Sequence, residues 1–249
     1  MLCIFVICFL FDNRYRYYDT LHNMYSKIKK LLENGYTPNY VFDIGAYHGD
    51  WTKSVISIFP DAHYIMIEAI DYNELSEYNQ YSNMTVINEI LNYTNEKVSW
   101  FEMRNTGDSM FKEKTIWGSK SIELQRDAIT LDYCLEKYNI DVNKLKNVFI
   151  KIDCQGAELS ILKGSQSILH IVDFILLELP LFGEYNENVP SFLEHIQYMD
   201  SIGFIPYDII DNHYINNFNM QIDMLFINKA HPFNNSINDN LLKKYTEGP

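Results

Sequence analysis

The sequence predicts an α/β protein built on a doubly wound, Rossmann-like sheet that is mostly parallel, with one antiparallel edge strand and helices on both faces. Short apolar runs alternate with segments whose apolar residues recur at helical spacing, which is typical of parallel strands joined by crossover helices. Two glycines, Gly45 and Gly49, follow the first such strand, where this class of fold turns from strand into helix. With 249 residues, 47% of them hydrophobic, the chain fits one domain with a sizeable core.

By composition the chain divides into an N-terminal segment, residues 1–38, a main domain, residues 39–230, and a tail, residues 231–249. The N-terminal segment opens with an apolar run and continues with a helix predicted over 17–34, which a glycine and a proline end. We find no internal repeat and no linker composition that would mark a second domain.

The apolar run at residues 1–11 is too short to span a bilayer. It also lacks the positively charged region and the small-residue cleavage site of a secretory signal. We interpret it as a buried strand, as a contact between copies of the chain in a homo-oligomer, or as the product of an upstream start codon. Membrane attachment is the less favoured alternative.

The first half of the main domain alternates strand and helix. The predicted elements are a strand over 40–45, a helix over 50–59, a strand over 64–68, a short helix over 71–80 and a strand over 85–88. From residue 89 to residue 131 the alternation changes. Two strands, 98–102 and 128–131, flank a polar loop, and we interpret this part as an insertion around a pocket.

The alternation then resumes. A strand over 148–153, a helix over 157–169, a strand over 174–178 and a helix over 190–202 lead to two last strands, 205–210 and 222–227. A long Asn-rich loop is predicted between those two strands, and their pairing indicates the antiparallel edge of the sheet.

Charge and cysteine content narrow the function classes. A net charge of −13 argues against a broad phosphate-binding surface, so a nucleic-acid partner is disfavoured. The four cysteines show no CxxC or Cys/His spacing and are interpreted as reduced thiols of a cytoplasmic protein: Cys3, Cys8, Cys134 and Cys154.

The turn after the first strand predicts a nucleoside-like site. Gly45 lets the chain turn sharply off the strand, and Gly49 lets a ligand approach the first turn of the next helix. The spacing D-x-G-x-x-x-G from Asp43 differs from the G-x-G-x-x-G of dinucleotide sites and suits S-adenosylmethionine (SAM). Asp43 is expected to pair with the α-ammonium group of SAM, with backbone N–H groups or with water. His48 either shapes this pocket or simply begins the helix.

Glu68 lies 23 residues beyond Gly45, at the end of the second strand. In a doubly wound fold an acid at this place accepts hydrogen bonds from ribose hydroxyls. The alternative is an ordinary strand-end carboxylate, and the glycine turn upstream favours the ribose role.

A second block, around residues 149–158, supplies candidate chemistry. Asp153 ends a strand and is the first choice for a group that orients an acceptor hydroxyl or takes its proton; Glu178 is the second choice and Glu158 the third. Lys151 shares a strand face with Asp153 and needs an anion, either Asp153 or Glu178. Glu158 is equally explained as a first-turn residue that interacts with the helix dipole.

These blocks, in this order and spacing over about residues 40–210, resemble the FkbM family of SAM-dependent methyltransferases. The resemblance rests on the D-I-G-A-x-x-G-x-x-T motif from Asp43, the strand end at Glu68, the K-I-D-x-x-G-A-E motif from Lys151 with its L-x-G continuation, and the strand end at Glu178. It implies a seven-stranded sheet with one antiparallel strand, and methylation of hydroxyls, often on sugars or secondary metabolites. It also implies that Asp43, Gly45, Gly49 and Glu68 line the cofactor site, with Asp153 beside the methyl group. We expect six further residues in this site: Ala46, Tyr47, His48, Thr52, Ala69 and Asn88.

The chain departs from the family pattern at three places. Tyr47 and His48 stand where an Asn is expected, Gln155 stands where the family often has Glu, and Cys154 replaces an aliphatic residue. The first two changes lie near the expected pocket, so they bear on the acceptor more than on the cofactor.

The resulting hypothesis is a SAM-dependent O-methyltransferase that acts on a small-molecule or glycan hydroxyl. No metal cluster is evident in the sequence, although Asp153 and Glu158 could hold Mg²⁺ for a diol acceptor. One alternative is an RNA 2′-O-methyltransferase, suggested by Lys151 beside Asp153 and opposed by the net charge. Others are a non-catalytic SAM-fold scaffold that uses its apolar start and, last, an NAD-dependent dehydrogenase, which the glycine spacing disfavours.

Overall fold

A computed structural model describes residues 24–116, 118–182 and 185–233. The apolar run at 1–11, the first part of the predicted 17–34 helix and nearly all of the tail lie outside the described residues. The interpretations of those segments therefore remain expectations.

Seven strands form the main sheet. They are β1 (Tyr40–Ile44), β2 (His63–Glu68), β3 (Met84–Asn88), β7 (Val148–Ile152), β8 (Val172–Pro180), β9 (Phe204–Ile215) and β10 (Phe218–Asn228). Their order is β3-β2-β1-β7-β8-β10-β9. The first five run parallel, whereas β10 is antiparallel to both β8 and β9. The predicted mostly parallel sheet is thus present, with its antiparallel strand one position in from the edge.

The predicted insertion forms a small sheet of its own. Its strands are β4 (Ile90–Leu91), β5 (Glu96–Glu102) and β6 (Ile122–Ile129), in the order β4-β6-β5. Trp100 of β5 packs in one buried cluster with Ile70, which lies just beyond β2. The Arg126 guanidinium also donates a hydrogen bond of 2.9 Å to the Ala69 carbonyl. The small sheet is therefore held beside the carboxyl end of β2.

Helices cover both faces of the main sheet. They are α1 (described over 24–33), α2 (Asp50–Val55), α3 (Asn73–Ser76), α4 (Leu131–Lys137), α5 (Glu158–Lys163) and α6 (Phe192–Ser201), with 3₁₀ turns at Glu77–Gln80, Gly118–Lys120, Val142–Lys144 and Leu169–Ile171. Helix α4 is absent from the sequence prediction. Helix α5 is shorter than its prediction because the side chains of Ser165 and Gln166 donate to the carbonyls of Ile161 and Leu162 and satisfy the end of the helix.

Strand alternation divides the core into two layers. Phe42 and Ile44 of β1 face a core shared with α4, α5 and α6, whereas Val41 faces a core shared with α1 and α2. All three side chains are at most 1% exposed. This is the doubly wound arrangement that the sequence predicts.

The prediction of a long loop between the last two strands is wrong. β9 and β10 continue as strands to Ile215 and from Phe218, and only Asn216 and Asn217 join them. Both asparagines have positive φ angles, 48° and 67°. A two-residue hairpin needs that conformation, and asparagine tolerates it better than most residues do. The Asn-rich stretch is thus a tight turn within a long hairpin.

None of the helices in the described ranges combines the length and the apolar character that crossing a membrane requires. Within the same ranges Cys134 and Cys154 are free thiols.

Candidate functional site

A cavity of about 1170 Å³ opens at the carboxyl ends of β1, β2, β7 and β8. This volume exceeds the roughly 300–1,000 Å³ of a typical small-molecule site, so it offers room for two ligands. Ile90, Leu91 and Trp100 of the small sheet line one end, together with Asp108 and Met110 of the loop between β5 and β6. The loop after β7 and the β9–β10 hairpin line the other end, with Asp153, Gln155, Asn212, His213 and Tyr214.

The turn at Gly45 brings two loops together below this cavity. Gly45 has a φ of 77°, and its N–H donates to the Ile67 carbonyl at 2.9 Å. A Cβ atom at this position would lie 2.0 Å from the carbonyl oxygen of Asp153. Only glycine therefore lets the loop after β1 rest against the loop after β7, as the turn motif predicts.

Glu68 lies in the wall between the two ends of the cavity. Its Oε2 accepts a hydrogen bond of 2.7 Å from the Tyr47 N–H, and its Oε1 accepts one of 2.9 Å from the Ile70 N–H. Burial raises the pKa of Glu68, while these two N–H groups act in the opposite direction. A carboxylate offers about four lone-pair sites, so two remain for hydroxyl donors.

The predicted role of Asp43 does not fit the structure. Asp43 is fully buried and does not line the cavity. Its Oδ2 accepts from the Thr52 hydroxyl at 2.7 Å, and its Oδ1 lies 3.1 Å from Lys151 Nζ. The partner that a strand-end carboxylate needs is therefore the protein's own ammonium group, not a ligand amine.

Lys151 connects the loop after β1 with the loop after β7. Its Nζ donates to the Gly45 carbonyl at 2.9 Å and lies 3.6 Å from Asp153 Oδ2. Burial alone would lower the pKa of Lys151, but the carboxylates of Asp43 and Asp153 raise it above its usual range. Lys151 is thus a fixed positive charge at the floor of the cavity.

Gln155 joins the two acids that the sequence singles out as candidate catalytic groups. Its amide donates to Asp153 Oδ1 at 3.2 Å and to Glu178 Oε2 at 2.8 Å. Glu178 is 9% exposed, and burial together with the charges of Asp153 and Asp223 raises its pKa well above its usual range. Asp153 and Glu178 therefore face the same part of the cavity.

The third candidate, Glu158, points elsewhere. Its Oε1 accepts from the Cys154 N–H at 2.9 Å and from the Gly156 N–H at 3.2 Å, and the side chain does not line the cavity. Burial raises the pKa of Glu158 to about 7. The structure thus places Glu158 inside the loop before α5, and the pair expected to hold Mg²⁺, Asp153 and Glu158, does not face one site.

The remaining predicted cofactor residues divide into two groups. Ala46, Tyr47 and Ala69 line the cavity together with Gly45 and Glu68. Four others do not: Thr52 bonds to Asp43, His48 contacts Glu74, Gly49 lies against Tyr78, and the Asn88 amide donates to the Glu68 carbonyl.

Sequence reasoning missed the residues that reach the cavity from distant segments. The indole Nε1 atoms of Trp51 and Trp100 are buried at its wall and have no acceptor among the described residues. His213 comes from the β9–β10 hairpin, and its Nε2 lies 3.3 Å from Asp223 Oδ1. Burial alone would lower the pKa of His213, but the hydrogen bond with Asp223 and the charges of Asp211 and Asp153 raise it to about 9. Trp51 lies in α2, directly after the Gly49 turn, where its apolar character is visible in the sequence. The places of Trp100 and His213 carry no local signal, since they depend on strand pairing.

The site fits SAM in three respects. Glu68 has free acceptor capacity at the place of a ribose-binding acid. The small-sheet end supplies apolar side chains and the indole ring of Trp100, which suit a purine ring. Four acidic side chains line the cavity, those of Glu68, Asp108, Asp153 and Glu178, and acidic groups suit a cationic ligand.

Comparison with known proteins gives one family. The model of the methyltransferase FkbM domain matches residues 43–206. No curated protein matches the chain. The solved structures that resemble it include methyltransferase FkbM from Methylobacillus flagellatus KT, with 19% identity over 77% of this chain and 43% of that chain, at a TM-score of 0.46. The chain therefore spans less than half the length of that protein.

Two further solved structures cover most of this chain at low identity. An S-adenosylmethionine-dependent methyltransferase from Clostridium acetobutylicum ATCC 824 is 9% identical over 92% of this chain and 100% of that chain, at a TM-score of 0.43. A 1,6-didemethyltoxoflavin-N1-methyltransferase from Burkholderia thailandensis, with bound S-adenosylhomocysteine, is 10% identical over 88% of this chain and 83% of that chain, at a TM-score of 0.47.

Proposed function

Because the chain belongs to the FkbM family of methyltransferases, we propose that it transfers the methyl group of SAM to a hydroxyl group of a small-molecule or glycan acceptor. The observation that carries the hydroxyl specificity is the pair of acids at one end of the cavity. Gln155 holds Asp153 and Glu178 together there, and Lys151 lies beside Asp153. Such a pair suits an acceptor that must lose a proton as it is methylated.

SAM, when bound, supplies an electrophilic methyl group on a positively charged sulfur. Glu68 would hold the ribose hydroxyls with the lone pairs that Tyr47 and Ile70 leave free. Trp100 and Met110 would contact the purine at the small-sheet end. This arrangement leaves the end with Asp153 and Glu178 for the acceptor.

The residues of the chain then act on the acceptor by position and charge. Asp153 is the proton acceptor, because its side chain is 40% exposed and faces the cavity. Lys151 lies 3.6 Å from Asp153 Oδ2 and fixes the place of this carboxyl group relative to the Gly45 turn. Holding the two reactants in one geometry accounts for much of the rate in a direct displacement of this kind.

The test is methyl transfer from labelled SAM to a panel of sugars, sugar nucleotides, small phenols and capped RNA. We expect an acceptor among the sugar or small-molecule hydroxyls, and we expect Asp153→Asn to lower kcat by at least about 100-fold. The matched control is Asp127→Asn, since Asp127 is an exposed acid on β6 that pairs with Lys97.

Three outcomes would contradict the proposal. Full activity of Asp153→Asn would remove the proposed proton acceptor. Transfer to capped RNA alone, with salt-dependent binding, would make the chain an RNA methyltransferase despite its net charge of −13. Absence of SAM binding in calorimetry would favour the non-catalytic scaffold.

A further inference from the structure

Three acidic side chains lie next to one another across β8, β10 and β9, and Glu178 of this row lines the cavity. Asp223 of β10 stands directly opposite Glu178 of β8 and directly opposite Asp211 of β9. Like charges directly opposite each other destabilise a sheet, and Glu178 and Asp211 are both at least nine-tenths buried. Three acids in a row across three strands therefore need a cation.

Among the described residues, the charge of Lys27 acts on Asp211, and Lys151 and His213 lie nearer to the other two acids. Lys151 forms ion pairs with Asp43 and Asp153 and donates a hydrogen bond to the Gly45 carbonyl, so it is already paired with other groups. His213 is then the side chain that balances Glu178 and Asp223. One imidazolium cannot neutralise two carboxylates, and a divalent cation would.

The donor atoms already lie close together. One ligand atom each from Glu178, His213 and Asp223 falls within 4.8 Å of the others. His213 Nε2 and Asp223 Oδ1 are 3.3 Å apart. Two ligands that each lie about 2.1 Å from one metal ion are separated by roughly 3 Å in octahedral geometry, so this spacing requires little movement.

Glu178 gives an independent indication. Gln155 donates to its Oε2 at 2.8 Å, and no described residue donates to its Oε1. Because Glu178 lines the cavity and belongs to the cluster, this oxygen is available to a ligand there. A side-chain amide that orients a carboxylate is also the usual outer partner of a metal ligand.

We propose that Glu178, His213 and Asp223 bind a divalent cation at the acceptor end of the cavity. One imidazole nitrogen with two carboxylate oxygens suits Mn²⁺ or a similar ion. The open coordination positions face the cavity and take two neighbouring oxygens of the acceptor, as in a vicinal diol. This acceptor role rests on the function proposed above, whereas binding of the cation does not.

The test is titration of the full chain with Mn²⁺ alone, followed by the electron paramagnetic resonance signal of free Mn²⁺. We expect one ion per chain, and at least a tenfold weaker affinity in Asp223→Asn and in His213→Gln. The matched control is His231→Gln, because His231 Nε2 lies 3.4 Å from Asp173 Oδ1 in a similar pair away from the cavity. That variant should bind Mn²⁺ as the wild type does.

Two results would overturn the proposal. One is absence of Mn²⁺ binding by the wild type at about 1 mM free ion, the weak end of protein cation sites. The other is unchanged affinity in both cluster variants when their circular dichroism matches the wild type. Calorimetry with SAM on the same protein separates the proposals: Mn²⁺ binding without SAM binding counts against the methyltransferase reaction alone.

Discussion

Glu158 shows how the environment of one carboxyl group sets its charge. The side chain is 1% exposed, one oxygen accepts from two backbone N–H groups, and the other has no partner among the described residues. Burial therefore favours the neutral acid and raises the pKa of Glu158 to about 7 from an ordinary value of 4.5. The folded chain holds this proton at pH values where the unfolded chain has lost it.

The prediction concerns stability against pH. Because the folded pKa is above the unfolded one, stability falls as the pH rises from about 4.5 to about 7, by an amount of order 3 kcal/mol. Glu158→Gln keeps the acceptor for Cys154 and Gly156 and removes the titration. Urea unfolding at about pH 5 and pH 8 should show a smaller pH-dependent loss in the variant than in the wild type. Identical losses in both proteins would contradict the shifted pKa of Glu158.

Individual residues also show why some of the site residues could be predicted from the sequence and others could not. Gly45 and Glu68 line the cavity, because a turn glycine and a strand-end acid have their place set by the backbone. Asp43 is also a strand-end acid, yet it pairs with Lys151 across β1 and β7. Which partner a carboxylate reaches depends on neighbouring strands, and that information is not local.

At the scale of elements, helix α6 depends on its first turn. Ser191 Oγ accepts from the Glu194 N–H at 3.3 Å, and Glu194 Oε2 accepts from the Ser191 N–H at 2.7 Å, which forms a capping box. Two N–H groups that the helix itself cannot satisfy are bonded in this way. The cap therefore fixes where α6 begins.

We predict that Ser191→Ala lowers the free energy of unfolding by about 1 kcal/mol. Ser201→Ala is the control at the other end of the helix, where the hydroxyl donates to the Tyr198 carbonyl, and should change stability by less than about 0.5 kcal/mol. Chemical denaturation measures both. Equal effects of the two substitutions would show that the capping box does not stabilise α6.

Elements with a strong local period were predictable, and those set by long-range pairing were not. The parallel strands were identified because each is a short apolar run between helical segments. The hairpin of β9 and β10 was underestimated, since its polar residues from Asp211 to Gln221 resemble a loop until the Asn216–Asn217 turn brings the strands together. The place of β10 inside the sheet follows from its pairing with β8, which no single segment encodes.

At the scale of the whole molecule, the cavity joins parts of the chain that are otherwise separate. The main sheet contributes Glu68, the small sheet contributes Trp100, and the loop after β7 contributes Asp153. A ligand that contacts all three stabilises the folded chain in proportion to its affinity. Thermal unfolding therefore reports binding without knowledge of the acceptor.

We predict that SAM at about 100 times its Kd stabilises the chain by about 2.7 kcal/mol, which raises Tm by roughly 5–10 °C in a protein of this size. Glu68→Gln should bind SAM at least about tenfold more weakly, because an amide places a donor against the N–H of Tyr47 or Ile70. Its Tm rise at the same SAM concentration should be smaller. Glu123→Gln, at an exposed position on β6, should behave as the wild type, and an equal rise in all three proteins would argue against a cofactor contact at Glu68.

The β9–β10 hairpin has a consequence for how such a protein diversifies. Its residues follow one another in a single stretch, 204–228, and the hairpin is hydrogen-bonded to the rest of the sheet through β8. The turn at Gly45 and the acid at Glu68 are encoded more than a hundred residues earlier. A gene that exchanged this stretch with that of a relative would acquire, in one recombination event, a new wall on the side of the cavity proposed for the acceptor, and the part with Gly45 and Glu68 would be inherited unchanged.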